Sequence, residues 1–318
     1  MNKKCLIVGP GAVGAVYGYH LQRGGADVSF FIKKQYSSKY TRGIDLLWHN
    51  KDKNIFNFSG FSTLFNPLEI KKTKWDYIVL AVSSTAIRTN LVTEILENIA
   101  PDHDTTLISL QPGIEDQSFL AKKYPVEKTV AGLITVISYQ APLKNEKYPD
   151  CIAYWFPPFS PNAFSGEEKR LQPLLQIFKK GKMPVTKSKN VNITAAFAIS
   201  YFMPFLAALE ANDWSFAKLK KNGDLKTVDK AANEAFAISE KHTGIKKPLS
   251  MDFISSPLIK GALSFQKLII PFDLEVYFQY HFLKVKEQTM LNLKTFIELG
   301  EKYSITTDHL QTLYNAVV

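Results

Sequence analysis

Cysteine is nearly absent, with only Cys5 and Cys151 in 318 residues. There is no C-x-x-C pair and no spaced cysteine set. A disulfide framework is therefore excluded, and a reducing compartment, the cytoplasm, is expected. The six histidines (His20, His49, His103, His242, His281, His309) show no metal-ligand spacing, so no metal is expected. Residues 1–4 are too short for a signal peptide ahead of the first apolar stretch. Residues 193–209 are mostly apolar, but they fall short of the about 20 residues of a membrane span. Pro204, Thr194, Ser200 and Tyr201 also interrupt them. That segment reads as a buried core helix, and no membrane partner is expected. Dense basic runs interleaved with aromatics are missing too, although the formal net charge is +10. No nucleic-acid partner is expected on that ground. The scattered lysines fit a solvated surface, or a basic cleft that attracts a phosphorylated cofactor or an anionic substrate.

What is present suggests two domains. A length of 318 residues with 46% hydrophobic and 21% charged residues is ordinary for a soluble protein with ample core. The first half alternates strand and helix patterns. Apolar strands are expected at Cys5–Val8, Val28–Ile32, Tyr77–Val82 and Thr106–Leu110, with a strand-like stretch at Thr129–Ile137. Helices are expected from about Gly11 to Gly24, at Thr85–Ile99 and at Glu167–Lys179, and a last short strand at Met183–Thr186. Short extended pieces are expected at Gly43–Leu47 and Phe56–Phe58, and edge strands and loops over 138–165. From Asn192 the pattern is helical to the end. The expected fold is α/β: an N-terminal Rossmann-type doubly wound sheet over residues 1–188, then an all-helical domain over 189–318.

The most specific motif is Gly9-Pro10-Gly11-Ala12-Val13-Gly14, directly after the first strand and opening the first helix. This is the G-x-G-x-x-G dinucleotide fingerprint in its required strand–turn–helix setting. The first glycine permits the tight turn, and the second leaves room for a pyrophosphate. The third lets the helix lie close to the strand and aim its free N–H groups at the phosphates. All six residues are candidate cofactor contacts. The competing reading is an ordinary strand–helix turn that needs small residues. The tip of the second strand selects the nucleotide. An acidic residue there would hold the ribose hydroxyls of NAD, whereas this chain has Phe31-Ile32-Lys33-Lys34. Lys33 and Lys34 favour the 2′-phosphate of NADP, with Arg42 as a further candidate. Otherwise the two lysines are a solvated loop pair.

On these residues the chain resembles the ketopantoate reductase (2-dehydropantoate 2-reductase) family. The resemblance also rests on Gly43-Ile44-Asp45-Leu46, on Asp76-Tyr77-Ile78-Val79-Leu80-Ala81-Val82, and on the turn Ser109-Leu110-Gln111-Pro112-Gly113-Ile114. It implies NADPH-dependent reduction of a 2-keto acid or related carbonyl, with a helical substrate and dimerisation domain and a homodimer. It implies cofactor contacts at Val82, Ser83, Pro112 and Gly113. It also places a catalytic glutamate at Glu287 and a substrate-binding asparagine at Asn292, in Lys284-Val285-Lys286-Glu287 and the residues after it. The competing reading of Glu287 is a solvated ion-pair residue. Ser200 is a further substrate candidate, mid-helix with Tyr201, and Lys187 and Lys189 are candidates for a displaced ammonium group. The chain departs from the family pattern where chemistry is expected. Ser83 stands for a lysine and Pro112 for an asparagine. Anchored on Pro204, the K-x-x-x-N-x-x-x-N-P helix pattern becomes Ala195, Ile199 and Met203. A non-catalytic dinucleotide-binding protein, a sensor or interaction module on the same fold, is the alternative reading.

Overall fold

The computed structural model describes residues 2–51, 54–249, 251 and 256–318. The chain divides into two compact units. The first runs to Gln111 and resumes over Asp116–Val191; the second takes Pro112–Glu115 and the residues from Asn192 on.

In chain order the first unit holds β1 (Lys4–Val8), α1 (Ala12–Arg23), β2 (Asp27–Phe31), β3 (Ile44–Trp48), β4 (Ile55–Phe58), β5 (Ser62–Leu64), β6 (Tyr77–Leu80), α2 (Asn90–Glu97), β7 (Thr106–Ser109), α3 (Asp116–Ala121), β8 (Thr129–Leu133), β9 (Ile137–Ala141), β10 (Cys151–Trp155), β11 (Asn162–Ser165), α4 (Glu168–Lys180) and β12 (Val185–Lys187). The main sheet runs β12-β11-β8-β7-β6-β1-β2-β5. It is parallel from β8 to β5, and β11 lies antiparallel to β8. The central strands are continuous apolar runs because both faces are covered. Along β1, Cys5 and Ile7 join the core under α1 and α4, while Leu6 and Val8 join the core under α2 and α3. The doubly wound α/β expectation therefore holds.

A second sheet, β4-β3-β10-β9, covers the other side of α1. Residues 138–165 thus do more than add edge strands. The stretch expected as one strand, Thr129–Ile137, is split between the two sheets. Asn162 Oδ1 accepts from Thr135 N (3.0 Å) and Val136 N (3.4 Å), and so replaces the strand ladder at the break. The helix expected over Thr85–Ile99 is also broken. A 3-10 turn at Ala86–Arg88 ends at Thr89, which is extended (φ −83°, ψ 155°), and α2 starts afresh at Asn90.

The second unit carries α5 (Val191–Ala211), α6 (Phe216–Asn222), α7 (Leu225–Thr243), α8 (Ser256–Phe265), α9 (Leu274–Lys284), α10 (Lys286–Tyr303) and α11 (Asp308–Asn315). α5 is long and apolar enough to cross a membrane by composition, but 72% of its most apolar stretch is buried, as in a core helix. Glu234 on α7 holds the start of α11. Its carboxylate accepts from His309 N (3.0 Å), His309 Nδ1 (2.7 Å) and Leu310 N (2.9 Å).

The space between α1 and the second sheet is filled by rings. His20 sits there fully buried, 5.3–5.7 Å from the rings of Trp48, Tyr154 and Phe156. Its Nδ1–H donates to Gly181 O at 2.8 Å, while Nε2 is buried with no hydrogen-bond partner among the described residues. Burial away from water pushes its pKa down to about 4, and the bond to Gly181 opposes that only in part. The unfolded chain therefore binds a proton that the folded chain refuses. The contribution of His20 to stability is full above pH 6.5 and is lost as pH drops from 6.5 to about 4, by up to about 3 kcal/mol. We expect urea unfolding at pH 7 and pH 4.5 to show a clearly smaller loss in His20→Phe than in the wild type; the remainder includes His281, whose pKa burial also pushes down to about 4. Equal pH dependence in the two proteins would refute the assignment.

Candidate functional site

The strand order defines where a ligand can enter. The chain runs outward from β1 through β2 to β5, then returns to β6 on the other side of β1. The carboxyl ends of β1 and β6 therefore flank a topological switch point, the usual binding crevice of open α/β sheets. Those ends are level: Val8 pairs with both Phe31 and Leu80. Gly9 N donates to Phe31 O (3.4 Å) and Ala81 N to Val8 O (3.0 Å). A shallow depression at the opposite, amino ends of the strands, lined by Asn2, Asp27, Ser62 and Trp75, lies away from this crevice.

The glycines in the turn meet three different demands. Gly9 has φ +100°, and a Cβ there would lie 2.8 Å from Ala81 O and 2.9 Å from Val82 Cγ1. A Cβ on Gly14 would lie 1.9 Å from Gly9 O, so α1 can start where it does only without one. Gly11 differs: its φ is ordinary (−67°), it is exposed, and a Cβ would meet nothing within 4 Å. Packing does not require glycine at that position. The open space before the first N–H groups of α1 has the shape and polarity to take a pyrophosphate, so the residues present fit a dinucleotide. Pro10, Ala12 and Val13 are half-buried around it.

Lys33 and Lys34 follow β2 after the buried Ile32 and are exposed, as is Arg42. Lys33 opens a 3-10 turn, Lys34–Tyr40. Tyr40 OH donates to Pro10 O at 3.3 Å, and so ties the lysine-bearing turn to the glycine turn. Across the crevice, Val82 and Ser83 are half-buried after β6. Ser83 Oγ lies 2.8 Å from Thr85 Oγ1 and accepts from Ala86 N (3.2 Å), so it caps the following turn. Buried Gln111 donates through Nε2 to Leu80 O and Val82 O, both at 2.8 Å. Tyr40 and Gln111 were not predicted as site residues. Tyr40 gave no sequence signal, and Gln111 was visible only as part of the S-L-Q turn. The structure thus gathers residues 9–14, 33, 34, 82 and 83 at one end of the first unit. Pro112 and Gly113, expected beside them, group with the second unit.

The helical candidates do not form one cluster. Glu287 is exposed in the first turn of α10, while Asn292 is 3% exposed. Five residues on a helix turn through about 500°, which leaves the two side chains about 140° apart. Asn292 Nδ2 lies 3.7 Å from Met203 Sδ on α5. Ser200, the further substrate candidate, packs inside the helical unit. It is fully buried between α5 and α7, with Oγ 2.8 Å from both Ala196 O and Ser239 Oγ. Tyr201 OH donates to Asp229 (3.2 Å), and Lys187 pairs with Glu168 at the surface. Ala195, Ile199 and Met203 are all buried. Among the described residues no group of three His, Cys, Asp or Glu could hold a metal ion.

A parallel sheet with a glycine turn at its switch point, followed by a helical unit, defines a doubly wound α/β architecture. Residues 5–144 match the family model described as ketopantoate reductase PanE/ApbA. A curated 2-dehydropantoate 2-reductase of Nostoc sp. is 26% identical over 137 residues, 43% of this chain. That match spans 40% of the relative's length. Solved structures resemble the chain over nearly its whole length. The 2-dehydropantoate 2-reductase of Geobacter metallireducens GS-15 has a TM-score of 0.69 at 17% identity, covering 99% of this chain and 98% of that one. A D-mandelate dehydrogenase bound to NADH and anilino(oxo)acetate has a TM-score of 0.72 at 16% identity, covering 99% and 96%. The overall fold is therefore that of the ketopantoate reductases.

Two substitutions separate folding from binding at the glycine turn. Gly11→Val should keep the unfolding free energy within about 0.5 kcal/mol, as for surface changes. It should also weaken dinucleotide binding severely, because the new side chain fills the cradle. Gly14→Ala should destabilise the fold outright. Fluorescence titration and urea melts check both; unchanged binding in Gly11→Val would remove Gly11 from the site.

Proposed function

We propose that the protein is an NADP-dependent oxidoreductase of the ketopantoate reductase type. It would reduce a 2-keto acid or related carbonyl compound to the alcohol. The observation that carries this reading is the open cradle at Gly11, with Lys33 and Lys34 at the tip of the adjoining strand. The first unit would bind the dinucleotide, and the second would be the substrate and dimerisation unit of a homodimer. When bound, the cofactor supplies the hydride. This chain's residues bind its phosphates at the start of α1 and hold the 2′-phosphate with Lys33 and Lys34. Two buried free cysteines and the lack of a disulfide suit a cytoplasmic enzyme.

The substrate reading follows from the buried stripe Ala195, Ile199 and Met203, where the resemblance places a lysine and two asparagines. An apolar stripe favours a carbonyl compound with a greasy side chain over ketopantoate. The structural likeness to a dehydrogenase of mandelate, an aromatic 2-hydroxy acid, supports that direction. The same stripe also favours the second reading, a protein that binds the dinucleotide without turning it over, because the stripe offers no proton donor.

NADPH should bind at least tenfold more tightly than NADH, roughly the value of one phosphate pair at 1.4 kcal/mol. Lys33→Ala with Lys34→Ala should abolish the preference. Tighter binding of NADH would overturn the NADP assignment. Consumption of NADPH with aromatic or branched 2-keto acids supports the enzyme. Tight binding with no consumption across such a panel supports the binding protein.

A further inference from the structure

The segment after β6 forms the wall against which the glycine turn sits. At Gly9 the fit is close: an added Cβ would come within 2.8 Å of Ala81 O and 2.9 Å of Val82 Cγ1. A movement of a few tenths of an ångström there changes the cradle. One end of this wall is held by Gln111, through the carbonyls of Leu80 and Val82.

The other end is held by a buried charged group. Ser84 is fully buried and donates to Asp116 Oδ2 at 2.6 Å. Arg88 Nη1 donates to Asp116 Oδ1 and to Ser84 O, both at 2.6 Å. The Asp116 side chain is 1% exposed and that of Arg88 27%. The guanidinium lies 5.0 Å over the Phe119 ring. Arg88 folds back onto the turn at the point where the chain breaks at Thr89 before α2.

Stability alone does not account for such a group. Desolvation offsets most of the attraction in a buried ion pair, and apolar residues of similar volume often serve at least as well. What the group does provide is direction. Three bonds of 2.6 Å fix Ser84 by both its hydroxyl and its carbonyl, and so fix the turn on which Val82 and Ser83 are carried.

We infer that Ser84, Arg88 and Asp116 form a positioning unit that holds the Ala81–Thr85 wall against the glycine turn. Dinucleotide affinity then depends on residues that do not touch the phosphates. This rests on the proposed dinucleotide-binding role of the first unit. The unit acts on the shape of the cradle and not on the 2′-phosphate, so NADPH and NADH must weaken together.

The test is titration of the full-length protein with NADPH and with NADH at 10 °C, beside far-ultraviolet circular dichroism and thermal melts. Asp116→Asn and Arg88→Met should each raise both dissociation constants about tenfold, within the range of coupled buried networks. The NADPH to NADH ratio should stay unchanged. Arg88→Lys should recover part of the loss, and the Asp116→Asn, Arg88→Met double variant should be no worse than the poorer single. Ser84→Ala is a milder variant if either of these fails to fold. If the wild type binds and the folded variants bind equally well, the positioning role is wrong. The same holds if the loss follows the melting curve and vanishes where the variants are fully folded. If the wild type binds neither nucleotide, the dinucleotide reading itself falls, and the inference with it.

Discussion

The contact on which the rest depends is the passage of α1 over the first turn, with the Gly14 α-carbon against the Gly9 carbonyl. A methyl group at Gly14 would stand 1.9 Å from that oxygen. The helix can therefore begin one residue after the turn and lie close on the sheet. Three strand ends meet the same level. Val8 is in register with Phe31 on one side and Leu80 on the other, and backbone bonds carry that alignment one residue further. The crevice, the open cradle at Gly11 and the position of Lys33 all follow from this one close approach.

The proposed site needs a fixed helix start, and α1 is held from both sides. Its sheet side carries Gly18 and Leu21, and a Cβ on Gly18 would lie 2.6 Å from Phe30 Cζ and 3.0 Å from Ile7 Cδ1. Its outer side, with Tyr19 and His20, is covered by Trp48, Phe56, Tyr154 and Phe156 of the second sheet. A helix apolar all round reads as buried, and the second sheet supplies the missing cover. The cost is His20, whose ring can be accommodated only when neutral. The scaffold is thus rigid under neutral conditions, which suits a site built from backbone N–H groups on a fixed element.

The parts of the fold that were legible are those specified locally. β1, β6 and β7 are apolar runs because both faces of the central sheet are covered, and the glycine turn is a contiguous motif. Other features required distant partners. The break between β8 and β9 depends on Asn162, about 26 residues away, and no local pattern marks it. The break at Thr89 accompanies an arginine folding back to Asp116, 28 residues on. The candidate site shows the same division. Residues 9–14 and Lys33 were readable as a turn and a strand tip, whereas Tyr40 reaches Pro10 only through the folded chain. Glu287 and Asn292 illustrate the converse. Motif spacing joined them, but a five-residue step on a helix puts one in water and the other in the core.

On the proposed reading, the chemistry would turn on what an apolar stripe can do for a ketone. Hydride arrival places negative charge on the carbonyl oxygen, and that charge needs a donor already aimed at it. Ala195, Ile199 and Met203 offer none. Asn292, whose amide approaches Met203, can donate a hydrogen bond but cannot give up a proton at neutral pH. A reductase built on this stripe would stabilise the oxyanion weakly, and its proton must come from outside the stripe. It would therefore suit carbonyl compounds already activated by a neighbouring carboxylate, with binding energy drawn from an apolar side chain. A protein that only senses the dinucleotide needs neither donor nor proton, and it would tolerate the loss of all three polar groups while keeping the glycine turn intact. The retained cradle is common to both, so the discriminating property is turnover and not affinity.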